Sequence, residues 1–225
     1  MSARAEIFVN IRRALEVTGQ EAPRRRCVED RLEHAPKGVV PIRGQGDATA
    51  RIALFRDEAE RVSASLAEVD SSMDVPASIA THLREHSMST KIRMGADPRL
   101  AAMPWATTDI EVLNGRATAT DLVCVSHAFG AVAETGSLVL ASGPDNPTTL
   151  NFLPDTHIVI LRAPDIVPDF EHIWQKLRAA YGKGLMPRTV NFITGPSRSA
   201  DIGHNLLLGA HGPRTLHIII VIGEG

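Results

Sequence analysis

The sequence predicts an α/β fold, a largely parallel sheet flanked by helices, with a helical N-terminal extension. Three observations carry this. Short β-branched runs alternate with helix-period segments along the last two thirds of the chain. Several runs are apolar at every position, most clearly His217-Ile218-Ile219-Ile220-Val221-Ile222. That pattern is expected where helices cover both faces of a sheet. The length, 225 residues with 44% hydrophobic and 22% charged, suits one globular domain, or one domain with an extension.

In chain order, Ile7, Ile11 and Leu15 recur every four residues and predict a first helix, with Gly19 as its stop. Residues 36–46 are polar and punctuated by Pro and Gly. Ile52, Phe55, Ala59, Val62 and Leu66 then form one apolar stripe, which predicts a second helix packed on the body or contacting a partner or second copy. Residues 1–66 are read as the helical extension and 67–225 as the α/β domain. Strands are predicted over 91–94, 110–113, 122–126, 137–141, 157–161, 190–194 and 216–222. Helices are predicted over 75–86, 170–181 and 200–208.

Composition narrows the function. Lys plus Arg number 24 and Asp plus Glu 26, for a formal net charge of −2. That balance argues against a general nucleic-acid binder, and 4% aromatics argue against recognition by stacking. The two cysteines, Cys27 and Cys124, exclude a disulfide framework and a four-thiolate zinc or iron–sulfur site within one chain. Unpaired thiols, the lack of ~18 consecutive apolar residues and the lack of a hydrophobic signal core point to a cytoplasmic protein without a membrane span. No metal site is expected. His82 and His86 have chelating spacing, but the acidic residue of a His-Glu-x-x-His pattern is absent. The Gly-x-Ser-x-Gly elbow of a serine hydrolase is absent too.

Two stretches carry chemistry. In Val190-Asn191-Phe192-Ile193-Thr194-Gly195-Pro196-Ser197-Arg198-Ser199-Ala200-Asp201 a strand runs through Gly-Pro into a predicted helix. Ser199 would cap that helix and Asp201 would sit in its first turn, or its free amides, with Ser197 and Arg198, would bind an anion. Placement beyond the carboxyl end of a parallel strand would suit a ligand. His211, in Gly209-Ala210-His211-Gly212-Pro213, is an acid–base group or a solvated loop residue. In the second stretch, Gly130-Ala131-Val132-Ala133-Glu134-Thr135-Gly136-Ser137, small residues crowd Glu134. Desolvation there raises a carboxyl pKa, which suits a general base, a nucleophile or a buried strut. His157, at a strand start, is structural or points to the same place.

These motifs together resemble the lactate-utilisation protein C family, the LUD-domain proteins. The likeness rests on Ala133 to Leu140, on Leu153-Pro154 with His157-Ile158, and most strongly on Ile193 to Ile202 followed by His211-Gly212-Pro213. It implies a NagB/RpiA/CoA-transferase-like fold and a part in oxidising L-lactate to pyruvate. It also implies iron–sulfur partner proteins that carry the electrons, with no cofactor in this chain. Carried over by position, Glu134, Asp201 and His211 become the expected catalytic residues. Thr135, Gly136, Gly195, Ser197, Arg198 and Ser199 become the expected binding residues for a small carboxylate such as lactate or pyruvate. The chain departs from the family in having no acid within residues 128–131 and no arginine within 145–150. A CoA-transferase- or isomerase-like enzyme with Glu134 as nucleophile, and a non-catalytic scaffold for iron–sulfur proteins, are the other readings.

Overall fold

The computed structural model describes residues 2–200 and 206–223. It divides into two compact units, Met1–Val40 and Pro41–Gly225. The first holds α1 (Ala3–Ala14), capped by the Ser2 hydroxyl, and α2 (Ala22–His34). Neither helix buries a residue, and Ile7, Phe8, Ile11, Val28 and Leu32 are exposed.

The second unit begins with a 3₁₀ turn at Ile42–Gly44, then α3 (Ala48–Arg61), β1 (Ser65–Val69), α4 (Val75–Glu85), β2 (Lys91–Met94) and the single turn α5 (Pro98–Ala101). Next come β3 (Glu111–Asn114), β4 (Val123–His127), β5 (Gly130–Val132), β6 (Ser137–Ala141), α6 (Thr149–Phe152) and β7 (Thr156–Arg162). The chain closes with β8 (Ile166–Val167), α7 (Phe170–Tyr181), β9 (Val190–Ile193), β10 (Arg198–Ala200), β11 (Leu206–Leu208) and β12 (Thr215–Val221).

Six strands form the central sheet in the order β1-β12-β7-β4-β2-β3, with every neighbouring pair parallel. The apolar run in β12 serves two layers. Ile219 and Val221 join Val75, Ile79 and Leu83 of α4 on one face. Ile218 and Ile220 join Phe55 and Ala59 of α3 on the other. Side chains alternate along a strand, so a strand covered on both sides must be apolar throughout. Each fully buried side chain of this kind contributes ~1.5–3 kcal/mol. A second sheet, β8-β5-β6-β9, carries the two motifs; β6 runs antiparallel to β5 and β9, whereas β8 is parallel to β5.

Three expectations are corrected. The helix over 200–208 is not formed by its described residues: β10 pairs antiparallel with β11, Ser199 opposite Leu207. Residues 201–205, with Asp201, lie outside the described residues. Ser, Asp and Gly favour helix starts and turns alike, and the pairing of β10 with β11 excludes the helix at its described residues. The α3 stripe ends before Leu66. Ser63 takes a left-handed φ of 69°, and Ser65–Val69 turns into β1, whose partner β12 lies 152 residues away in sequence at the Ser65–His217 pair. The unit border falls between Val40 and Pro41 rather than after residue 66, because Phe55 and Ala59 sink fully into the core of the second unit.

Candidate functional site

The glycine-turn motif leaves β9 at Thr194 and reverses at Gly195, whose φ is +77°. A Cβ there would lie 2.5 Å from the Val62 carbonyl oxygen, so glycine is required by both backbone conformation and space. Gly136 repeats the arrangement, with φ +63° and a Cβ position 2.5 Å from the Ala59 backbone nitrogen. Both motifs therefore press against the last turns of α3. The hydroxyls of Thr135, Ser137 and Thr194 join them in a relay, at 2.7 Å and 2.6 Å.

The two turns that the sequence singled out downstream come together. Ser197 N–H donates to the Pro213 carbonyl at 2.8 Å, and Gly209 N–H donates to the Ser197 carbonyl at 3.0 Å. His211 N–H reaches the Ser197 hydroxyl at 3.4 Å. Around this junction lies a cavity of about 260 Å³, lined by Gly195, Ser197, Arg198, His211 and Gly212 at its rim. His157 and Asn151 lie beneath, both buried. Their side chains meet at Ser126, whose hydroxyl lies 3.0 Å from His157 Nε2 and donates to Asn151 Oδ1 at 3.4 Å. Burial pushes His157 down to about 3, so the imidazole is neutral. Sequence reasoning missed Ser126 and Asn151, because each sits in a segment that reads as packing rather than chemistry.

This cavity is not where a ligand was expected in the sheet. The turn follows β9 of the second sheet, and the cavity faces the amino ends of β7 and β12, at His157 and Leu216. With Ser199 on β10, its expected cap role is replaced by strand pairing. Arg198 reaches the cavity, but its Nη2 also donates to the Val62 carbonyl at 2.9 Å and so satisfies the C-terminal end of α3.

Glu134 is not brought to this cavity. It lies in a 3₁₀ turn, Ala133–Thr135, with 7% exposure. Its N–H donates to the Pro168 carbonyl at 3.3 Å. Burial raises its pKa, the Phe170 N–H at the start of α7 lowers it, and the nearby Asp169 carboxylate raises it. Asp169 itself caps α7 and is held by His172 and Gln45. Glu58 of α3, paired with Arg43 and Arg61, completes a charged seam on the same side of the fold. Among the described residues, no three His, Cys, Asp or Glu side chains are placed to hold a metal ion. None of the described helices is long and apolar enough to cross a membrane.

The family model of the LUD domain matches residues 47–221. Curated relatives include a "Lactate utilization protein C" from an Exiguobacterium species, 31% identical over 201 residues and 84% of each chain. Others of that name come from a Geobacillus species, 44% identical over 91 residues, and from Halalkalibacterium halodurans, 37% identical over 119. Those two matches cover 40% and 52% of this chain and only 38% and 51% of the relatives' length. A crystal structure of a DUF162 family protein from Deinococcus radiodurans shares the fold, with a TM-score of 0.61 at 22% identity, over 78% of this chain and 99% of the other. With α3, all three described sheets and both motifs inside the matched stretch, the chain belongs to the LUD domain family.

Proposed function

We propose that the chain is a component of a lactate-utilisation system, oxidising L-lactate to pyruvate together with iron–sulfur partner proteins. The observation that carries the reading is the match to the Exiguobacterium protein along 84% of both chains. The two cysteines support a subunit that holds no cluster of its own. Cys124 is fully buried and its thiol is pushed up to about 12, mainly by burial, so it is a poor metal ligand and a poor redox group. Electrons then pass through the partners. The exposed apolar residues of α1 and α2 support docking of those partners on the helical unit.

Within this reading, a small carboxylate such as lactate or pyruvate occupies the cavity at Gly195. Arg198 supplies charge, Ser197 and His211 supply polar groups at the rim, and the His157–Ser126–Asn151 group forms a neutral floor. Glu134 acts as a buried strut that ties its turn to the start of α7. A bacterium lacking its own copy and unable to grow on L-lactate should regain growth with the native gene. The Arg198→Ala gene should restore it poorly. Full growth with Arg198→Ala would remove the cavity from the proposal, and no rescue by the native gene, when expressed with its partners, would remove lactate.

A further inference from the structure

A second cavity, of about 200 Å³, opens at the opposite end of the central sheet. It lies where the parallel strands finish. Val221 ends β12, Arg162 ends β7 and His127 ends β4, while Ser72 follows β1 and Arg99 belongs to α5 after β2. In open parallel sheets ligands settle beyond the carboxyl ends of the strands. Neither the Glu134 stretch nor the glycine-turn stretch contributes to it.

Its polar groups are specifically arranged. Asp97, 4% exposed, grips Arg99 through two contacts, Nη2–Oδ2 at 2.6 Å and Nε–Oδ1 at 2.9 Å. That pairing compensates the charge of Arg99 and holds its guanidinium in place. Asp165 and Asp145, outside the lining, also act on Arg99; Asp165 is paired with Lys176 at 2.6 Å. Arg162 has no ion pair or side-chain hydrogen bond among the described residues, and no described carboxylate lines the cavity. The cavity thus carries one uncompensated positive charge in its lining. His127 is 5% exposed, and its Nδ1 lies 2.9 Å from the Ala128 carbonyl. Only a donor satisfies a carbonyl, so Nδ1 bears the proton and Nε2 is left as an acceptor. Burial first, and Arg99 second, lower the pKa of this ring and keep it neutral. Ser72, Met103 and Val221 close the remaining sides.

We propose that this cavity is a second ligand site, built for a small monoanion that carries a hydroxyl: an α-hydroxy carboxylate, with its carboxylate on Arg162 and Arg99 and its hydroxyl hydrogen on Nε2 of His127. One uncompensated positive charge in the lining, with the Asp145 carboxylate also acting on Arg99, matches a monoanion better than a doubly charged phosphate. A neutral imidazole with a free lone pair prefers a hydroxyl to a hydrogen or a carbonyl at the same place. The site rests on the lactate reading only in making L-lactate the natural probe.

The test follows the imidazole resonances of the full chain by NMR, with His127 assigned from the spectrum of His127→Asn. L-lactate, propionate and inorganic phosphate are titrated separately. The His127 signal should move and saturate with L-lactate, and the midpoint with propionate should be roughly tenfold weaker, the worth of one hydrogen bond. Arg162→Gln loses no partner within the fold, so it should keep the native melting temperature yet weaken L-lactate tenfold or more. Arg198→Ala should leave the His127 titration unchanged, which separates this site from the cavity at Gly195. No His127 response to L-lactate, an unchanged midpoint in Arg162→Gln, or a tighter response to phosphate than to L-lactate overturns the proposal. Growth rescue plays no part in these readouts, so a failure of the lactate-utilisation role would leave them standing.

Discussion

Acid should destabilise this protein in part through its buried histidines, and His157 isolates the effect of one of them. It lies on β7, between β12 and β4, opposite Leu216 and Cys124. Its Nε2 meets the Ser126 hydroxyl, and its Nδ1 is buried without a partner among the described residues. A proton on this ring would place a charge and an unpaired N–H inside the core, and burial therefore drops its pKa from 6.5 to about 3. His217 is pushed down to about 3 as well, by burial and then by His82 stacked on it at 3.7 Å and by His86. As pH falls below 6.5, the unfolded chain takes up a proton at each position that the folded chain refuses. The contribution is full above pH 6.5 and is lost progressively toward pH 3. At pH 5 the unfolded histidine lies about 1.5 units above ambient pH, so each ring costs ~2 kcal/mol, using ~1.36 kcal/mol per unit. Together they remove ~4 kcal/mol from a total that is ordinarily ~5–15 kcal/mol. The assay is urea unfolding of native protein and His157→Gln at pH 8 and pH 5. The variant starts less stable, but its loss between the two pH values should be smaller by ~2 kcal/mol, because one refused proton is gone. An equal loss in both proteins would show that His157 is protonated, or solvated, in the fold.

Three further outcomes are expected. Glu134 sits above its usual 4.5 because of burial, so ionising it destabilises the fold above that range and costs nothing below 4.5. Glu134→Gln should melt higher than native at pH 7.5, with the gap closed near pH 4; a lower melting point at pH 7.5 would show that the charge is needed. Gly195→Ala must carry a left-handed φ, ~1–2 kcal/mol, and a backbone collision with Val62, ~1–3 kcal/mol. Gly184→Ala, with φ +74° and nothing within 4 Å, meets only the first cost, so urea midpoints that fall equally would refute the α3 contact. Cys27 is exposed and Cys124 buried, so a thiol reagent should label Cys27 alone in native protein and both cysteines in denaturant, and rapid native labelling of Cys124 would contradict its burial.

The inner strands β4, β7 and β12 were legible because burial on both faces demands apolar residues at every position, whereas the edge strand β1 was read as part of a helix. Residues 157–161 and 216–222 therefore stand out without a partner in view. The helices α4 and α7 were legible for the complementary reason, a single apolar stripe. The motifs around Glu134 and Gly195 were legible as chemistry-bearing, since crowded small residues mark places where backbones meet. What they meet was not legible: both glycines press on α3, a helix more than seventy residues earlier for Gly136 and further still for Gly195. The predicted helix at 200–208 shows the same limit, because a cap signal is local, and the pairing of β10 with β11 excludes the helix at its described residues.

The sequence alone determined the fold class, the family likeness and the exclusion of a four-thiolate site within one chain, because these follow from local periodicity, from motif order and from a count of cysteines. Only the tertiary structure decided which polar residues share a space. It separated Glu134 from the Gly195 cavity and placed His157, Ser126 and Asn151 beneath that cavity. It also gathered His127, Arg99 and Arg162 at the far end of the sheet. Parallel strands bring their ends together from distant parts of the chain, so residues 63 positions apart, such as Arg99 and Arg162, line one cavity with no trace of it in their spacing.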